Sequence, residues 1–222
     1  MKLTGILLVS LLAAQVCAAA EPPKWSQLQR AVLVDQDEEK IKALVASGVD
    51  LNDPIGCGTF APLDGAVSRG NPKLVELLLS LGAKPREHQL VNAAFSSSDE
   101  AALQMVKLLR GAGVSVNARE YISETRFDTA IHESVWRENI SLVRYLLSEP
   151  GIRLDELNVD GYTPLMIAIK KGNSDIVDML LAAGANPTVR NARGLDAADV
   201  AQRVIAQQES FQAKLKQHLP AR

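Results

Sequence analysis

The chain has 222 residues, with 24 basic and 26 acidic side chains and a formal charge of −2. That near-neutral balance argues against nucleic acid as the main partner, because nucleic-acid binders carry a basic surplus. The length suits one elongated domain, and nine aromatic residues (four Phe, two Trp, three Tyr) are all it has for large anchoring side chains.

Residues 1–20 predict a secretory signal peptide. Lys2 supplies a positive n-region, Ile6 to Val16 a mostly apolar h-region, and Ala18-Ala19-Ala20 a small-x-small cleavage pattern, so the mature chain is expected to start at Glu21. The apolar run is too short for a membrane anchor and ends at the polar Glu21-Pro22-Pro23-Lys24. A lipid-modified Cys17 is the alternative, although Ala14-Gln15-Val16 resembles a bacterial lipoprotein box poorly. Cleavage removes Lys2, leaving 23 basic against 26 acidic residues and a charge of −3. Cys57 is then the only cysteine of the mature chain, which rules out an internal disulfide. The expectation is a soluble periplasmic or secreted protein.

Beyond the signal, helical units follow one another. The first has helices near Ser26–Val34 and Asp37–Ser47, closing at Gly48. The second opens at Ala61-Pro62-Leu63, turns at Gly70-Asn71 and carries Leu74, Val75, Leu78 and Leu79 on its second helix before Gly82. The third departs most: Leu90, Ala93 and Ala94 mark its first helix, and Met105, Val106, Leu108 and Leu109 its second. Between them the polar Ser96-Ser97-Ser98-Asp99 reads either as a projecting loop or as a drifted turn. In the fourth, Thr129-Ala130-Ile131-His132 opens the unit, Glu138 stands where a turn glycine is expected, and Leu142, Val143, Leu146 and Leu147 form the second stripe.

The fifth unit is the clearest. Thr163 can cap free amides and Pro164 fits the first helical position. Ile176, Val177, Leu180 and Leu181 form an apolar stripe, and Gly184 suits a left-handed C-cap. A last unit with helices at Leu195–Gln207 and near Ser210–His218 reads as a solvated end cap.

The units repeat at a fixed period. Asn158 and Gly161 recur 33 residues on as Asn191 and Gly194, and Pro62, Gly70, Leu78, Leu79 and Gly82 lie 102 residues before Pro164, Gly172, Leu180, Leu181 and Gly184. A period near 34 signals a stacked solenoid whose units cannot bury their apolar faces alone. The stretch Asn158 to Pro187 resembles one complete ankyrin repeat. The resemblance implies an all-α ankyrin-repeat solenoid over residues 21–222, with about five helix-turn-helix repeats, a C-terminal capping unit and short β-hairpin loops.

The resemblance also implies where a protein partner binds: on the concave face, at hairpin tips and the exposed ends of the first helices. Matched by register, the positions are Cys57, Gly58, Phe60, Ser68 and Arg69 in the second unit, and Phe95 with Ser96 in the third. The fourth gives Thr125, Arg126, Asp128, Trp136 and Arg137, the fifth Val159, Asp160, Tyr162, Lys170 and Lys171, and the last Arg193, Leu195 and Arg203. Phe60, Phe95, Trp136 and Tyr162 read as interface anchors, with core packing the alternative for Phe95. Arg69, Arg137, Lys170, Lys171 and Arg203 read as a basic stripe suited to an acidic partner.

Catalytic chemistry is not expected. His88, His132 and His218 fall in different units, and His132 occupies the ankyrin Thr-Pro-Leu-His slot, a structural one. No spacing suggests a metal, phosphate loop or other cofactor, and nothing visibly activates the Cys57 thiol. The favoured expectation is a monomeric periplasmic scaffold, an inhibitor or immunity protein that blocks a cell-envelope-acting toxin or hydrolase. The alternatives are an accessory factor for a periplasmic enzyme, for example in oxidant defence, and a secreted effector.

Overall fold

The computed structural model describes residues 22–52, 61–123 and 126–218. Phe60, Cys57, Gly58, Thr125 and the expected signal peptide lie outside them. In chain order the helices are α1 (Lys24–Arg30) with a π-helical extension (Ala31–Asp35), α2 (Glu38–Ala46), α3 (Pro62–Ser68), α4 (Pro72–Ser80), α5 (His88–Ala94) and α6 (Asp99–Gly111). Strands β1 (Arg119–Ser123) and β2 (Arg126–Thr129) follow, then α7 (Ala130–Trp136), α8 (Ile140–Ser148), α9 (Pro164–Lys171), α10 (Ser174–Ala182) and α11 (Ala197–His218).

The helices form two layers. First helices α3, α5, α7, α9 and α11 pack each against the next, and second helices α4, α6, α8 and α10 do the same behind them. Leu63, Leu78, Leu90, Leu109, Ile131, Leu146, Leu165 and Leu180 are fully buried between the layers, so the core is continuous along the stack. The first helices are short and rich in alanine at the contact, with Ala66, Ala93, Ala130 and Ala168 fully buried, which lets neighbouring backbones approach. Among the described residues the one sheet is the antiparallel β1–β2 hairpin, with a bulge between Tyr121 and Ser123. The ankyrin-repeat fold expected from the sequence is the fold observed.

Three asparagines at second-helix N-caps each do two things. The Oδ1 atoms of Asn71, Asn139 and Asn173 accept from the amides of Leu74, Leu142 and Ile176 at 3.2, 2.9 and 3.1 Å. Their Nδ2 groups donate one unit back, to Gln36 Oε1, the Asp99 carbonyl and Glu138 Oε2 at 2.8, 3.3 and 3.2 Å. A second ladder runs along the loops: Asn52 donates to the Gly82 carbonyl and Asn117 to that of Gly151, at 3.2 and 2.9 Å. Cap and inter-repeat tie are therefore one side chain.

The structure corrects several local expectations. The last unit is not two helices but the single α11 of 22 residues, roughly 33 Å long. No Gly or Pro interrupts Gln207–Ser210, so nothing local breaks the helix there. It opens on a reciprocal capping box, in which the Asp196 and Asp199 carboxylates each accept the other's backbone amide at 3.1 Å. The serine insertion is not a projecting loop: Ser98 caps α6 through the Ala101 amide, and Asp99 is already helical. Leu181 is 43% exposed rather than core, because among the described residues no second helix packs on the outer side of α10. Glu138 adopts the left-handed conformation of the missing glycine, at φ 59°.

Candidate partner-binding face

The ends of the first helices present a row of side chains whose positions follow from the capping turns. Arg69 and Arg137 are the C-cap residues of α3 and α7, and their amides donate four residues back, to Gly65 and Glu133. The Phe95 amide bonds the Val91 carbonyl in the same way, so Phe95 shares their slot. Sequence register had matched Phe95 to the neighbouring slot, held by Trp136 and Lys170. The one-residue shift arises in the third unit, where the extra serine obscures the turn.

Phe95 is 60% and Trp136 49% exposed, so both are surface aromatics and Phe95 is not core. Tyr162 is half-buried against the core, at the closure of a turn in which the Asn158 amide donates to the Tyr162 carbonyl at 2.9 Å. Each aromatic carries a cation. The Arg137 guanidinium sits 3.9 Å from the Phe95 ring centroid, Lys171 Nζ 5.1 Å from Trp136 and Lys170 Nζ 4.0 Å from Tyr162. Such contacts contribute about 0.5–1 kcal/mol each at exposed sites.

The expected basic stripe is largely tied down. Arg137 Nε donates to Glu133 Oε1 at 2.9 Å, and Lys171 Nζ pairs with Glu138 Oε1 at 3.0 Å. The Lys171 hydrogen bond, with that of Asn173, holds the Glu138 carboxyl below its usual range. Arg203 is exposed on α11 one unit beyond Lys170, and no carboxylate among the described residues pairs with it. Arg126 lies in β2 opposite Ser123; its side chain is outside the described residues.

His132 is fully buried, with Nε2 2.9 Å from the Glu156 carbonyl and Nδ1 2.7 Å from Thr129 Oγ1. Burial lowers its pKa to about 4, so the neutral ring joins β2, α7 and the next loop as a structural element.

A family model of ankyrin repeats, in three copies, matches residues 90–191. This is an ankyrin-repeat protein. The chain is 34% identical over 171 residues to the nuclear factor NF-kappa-B p105 subunit of Gallus gallus, a match covering 72% of this chain and 16% of that relative. In fold it matches an ankyrin repeat domain from Acinetobacter baumannii, with TM-score 0.67 at 21% identity, covering 83% of this chain and 93% of the other. It also matches a chain of the complex between a predatory endopeptidase from Bdellovibrio bacteriovorus and an immunity protein. That match has TM-score 0.64 at 24% identity and covers 85% of this chain and 95% of the other. Ankyrin-repeat domains are in general non-catalytic protein-binding modules, and this chain carries such a domain as a protein-interaction scaffold.

Two clefts open on the face of the ankyrin-repeat protein. One, of about 150 Å³, lies between successive loops and is bounded by Trp136, Asp128, Glu133, Asp160 and the buried His132. The other, of about 530 Å³, lies between the ends of α3 and α5 and is bounded by Arg69, Phe95, Ser96 and Arg137. The first is acidic and the second basic, so the face alternates in charge. Sequence register named Asp128, Trp136, Asp160, Arg69, Phe95 and Arg137 on this face but not Glu133 and not the pairing, because Phe95 and Arg137 are 42 positions apart.

Proposed function

We propose that the protein is a periplasmic inhibitor or immunity protein. In this reading the face built from first-helix ends and loop tips, the concave side of the solenoid, closes over the active-site mouth of a cell-envelope-acting hydrolase or toxin. The observation that carries the reading is the row formed by exposed Phe95 and Trp136 and half-buried Tyr162, each already held by a cation. Side chains ordered before binding lose little entropy when buried, which suits them to anchor a tight rigid interface. The fold-level match to a chain of an endopeptidase–immunity protein complex supports the setting. Apolar residues 6–16 ahead of Ala18-Ala19-Ala20 support export, with a monomeric mature chain starting at Glu21.

Titrating purified residues 21–222 into the Bdellovibrio endopeptidase and other envelope hydrolases tests the reading, with substrate hydrolysis as the readout. Hydrolysis is expected to fall to background near one equivalent for at least one of them. Unchanged rates throughout would remove the inhibitor reading, and a faster rate would replace it with an accessory role. Export is tested separately by the intact mass of periplasmic material, where lipid on Cys17 would overturn cleavage before Glu21.

A further inference from the structure

We propose that the cleft between the ends of α3 and α5 is the pocket in which an acidic side chain of the protein partner docks, held between Arg69 and Arg137 with its neighbouring apolar side chain on Phe95. The proposal rests on the binding-face reading above and adds the chemistry of one subsite.

The helix ends beside the two arginines do not need them. The turn amides already occupy the carbonyls at the end of α3: Arg69 bonds Gly65, Gly70 bonds Val67 and Asn71 bonds Ala66, at 3.0, 2.9 and 3.2 Å. At α5, the Phe95 and Ser96 amides take the Val91 and Ala93 carbonyls at 3.1 and 3.2 Å. Neither helix end requires a guanidinium as a C-cap. Arg69 is exposed, and no carboxylate among the described residues pairs with it. Arg137 spends its Nε on Glu133 and its plane on Phe95, which leaves its terminal amino groups to donate.

The cleft itself is set by the backbone. A Cβ on Gly70 would stand 2.9 Å from Ser96 Oγ, so the two turns meet closely at its floor. Ser68, Ser96 and Ser97 add hydroxyls around the rim. At about 530 Å³, the cleft falls within the range of small-ligand sites. Two guanidiniums flanking an exposed aromatic face fit a carboxylate attached to an apolar neighbour, because the planar fork donates two parallel bonds to a carboxylate. A cationic side chain would meet two like charges there. The acidic cleft beside Trp136 lies one unit on, so the partner surface is expected to alternate in charge as this face does.

The test uses the mature chain and the capped peptide acetyl-Leu-Glu-Leu-amide, with the Gln and Lys peptides as controls, followed by amide NMR shifts. The Glu peptide is expected to move the Ser68–Gly70 and Phe95–Ser97 amides saturably, at least fivefold more tightly than the Gln peptide. Arg69→Glu is expected to abolish those shifts while leaving the remaining spectrum in place. Equal response to all three peptides, or none at these amides, overturns the proposal. If Arg69→Glu disturbs the fold, Arg69→Gln serves, with at least a threefold loss expected and no loss overturning. Inhibition by the wild-type chain that survives Arg69→Glu unchanged sinks the subsite and spares the inhibitor reading. Selective peptide binding without inhibition of any hydrolase does the reverse.

Discussion

His132 shows how a single residue couples units. Its ring is sealed between Thr129 and the Glu156 carbonyl, where a proton finds no solvent to stabilise it, and its pKa falls to about 4. The unfolded chain holds the same proton near 6.5, so between these values the unfolded state binds more protons and stability drops as pH falls. Chemical denaturation of the mature chain is expected to show a loss of about 2 kcal/mol from pH 7 to pH 5. His132→Gln should flatten that dependence while lowering stability at pH 7. An unchanged acid slope in the variant would assign the loss to other groups. The structural role of His132 was legible from its place in the repeat motif. The degree of exposure of Leu181 was not, since Leu79 and Leu147 hold the same register and are half-buried against the core.

At the scale of the element, helix starts were more legible than helix ends. Thr163 caps where its sequence places it, because a cap is a local bond spanning three residues, and Asn71, Asn139 and Asn173 prove to be caps as well as turn residues. What the sequence hid is the second bond of each asparagine, made to a residue 35 to 40 positions away. Asn139→Ala should therefore cost more than Ser98→Ala, about 2 kcal/mol against about 1. Asn139 is buried and ties two units, whereas Ser98 is exposed and only caps α6. Urea melts of the two variants would decide it, and equal losses would mean that the inter-repeat bond adds nothing. The long α11 was misread for the complementary reason. Its residues are helix-tolerant throughout, with no Gly or Pro to divide them into a pair.

At the scale of the whole molecule, stability and binding are expected to separate. Leu78 and Leu180 are fully buried in the shared core, so truncation of either to Ala should cost about 2–5 kcal/mol, seen in urea melts. A change below about half a kcal/mol would place that leucine outside the core. Trp136 is half exposed and stacks with Lys171, so Trp136→Ala should weaken partner binding by about 2 kcal/mol or more and leave the melt nearly unchanged. Calorimetry with an inhibited hydrolase measures the first effect. A sharp loss of melting temperature with binding spared would move the interface elsewhere. Arg137→Glu should slow association with that hydrolase and also release Phe95, and stopped-flow mixing at two salt concentrations separates these effects.

The sequence by itself determined the repeat period, the two-layer stack and the buried leucine stripes, because each unit carries its own apolar spacing and its own caps. Phe95 and Trp136 were readable as surface residues for the same reason: their places follow from helix register within about one residue. Tertiary structure alone decided which charge meets which ring. Arg137 reaches Phe95 across the repeat boundary and Lys171 reaches both Trp136 and Glu138, so a stripe that reads as uniformly basic is mostly paired. The physical reason is distance in the chain. Burial and capping are set within a turn or two of helix, whereas the pairs Phe95–Arg137, Trp136–Lys171 and Glu138–Lys171 join residues 42, 35 and 33 positions apart, and a single inserted serine shifts which residues meet.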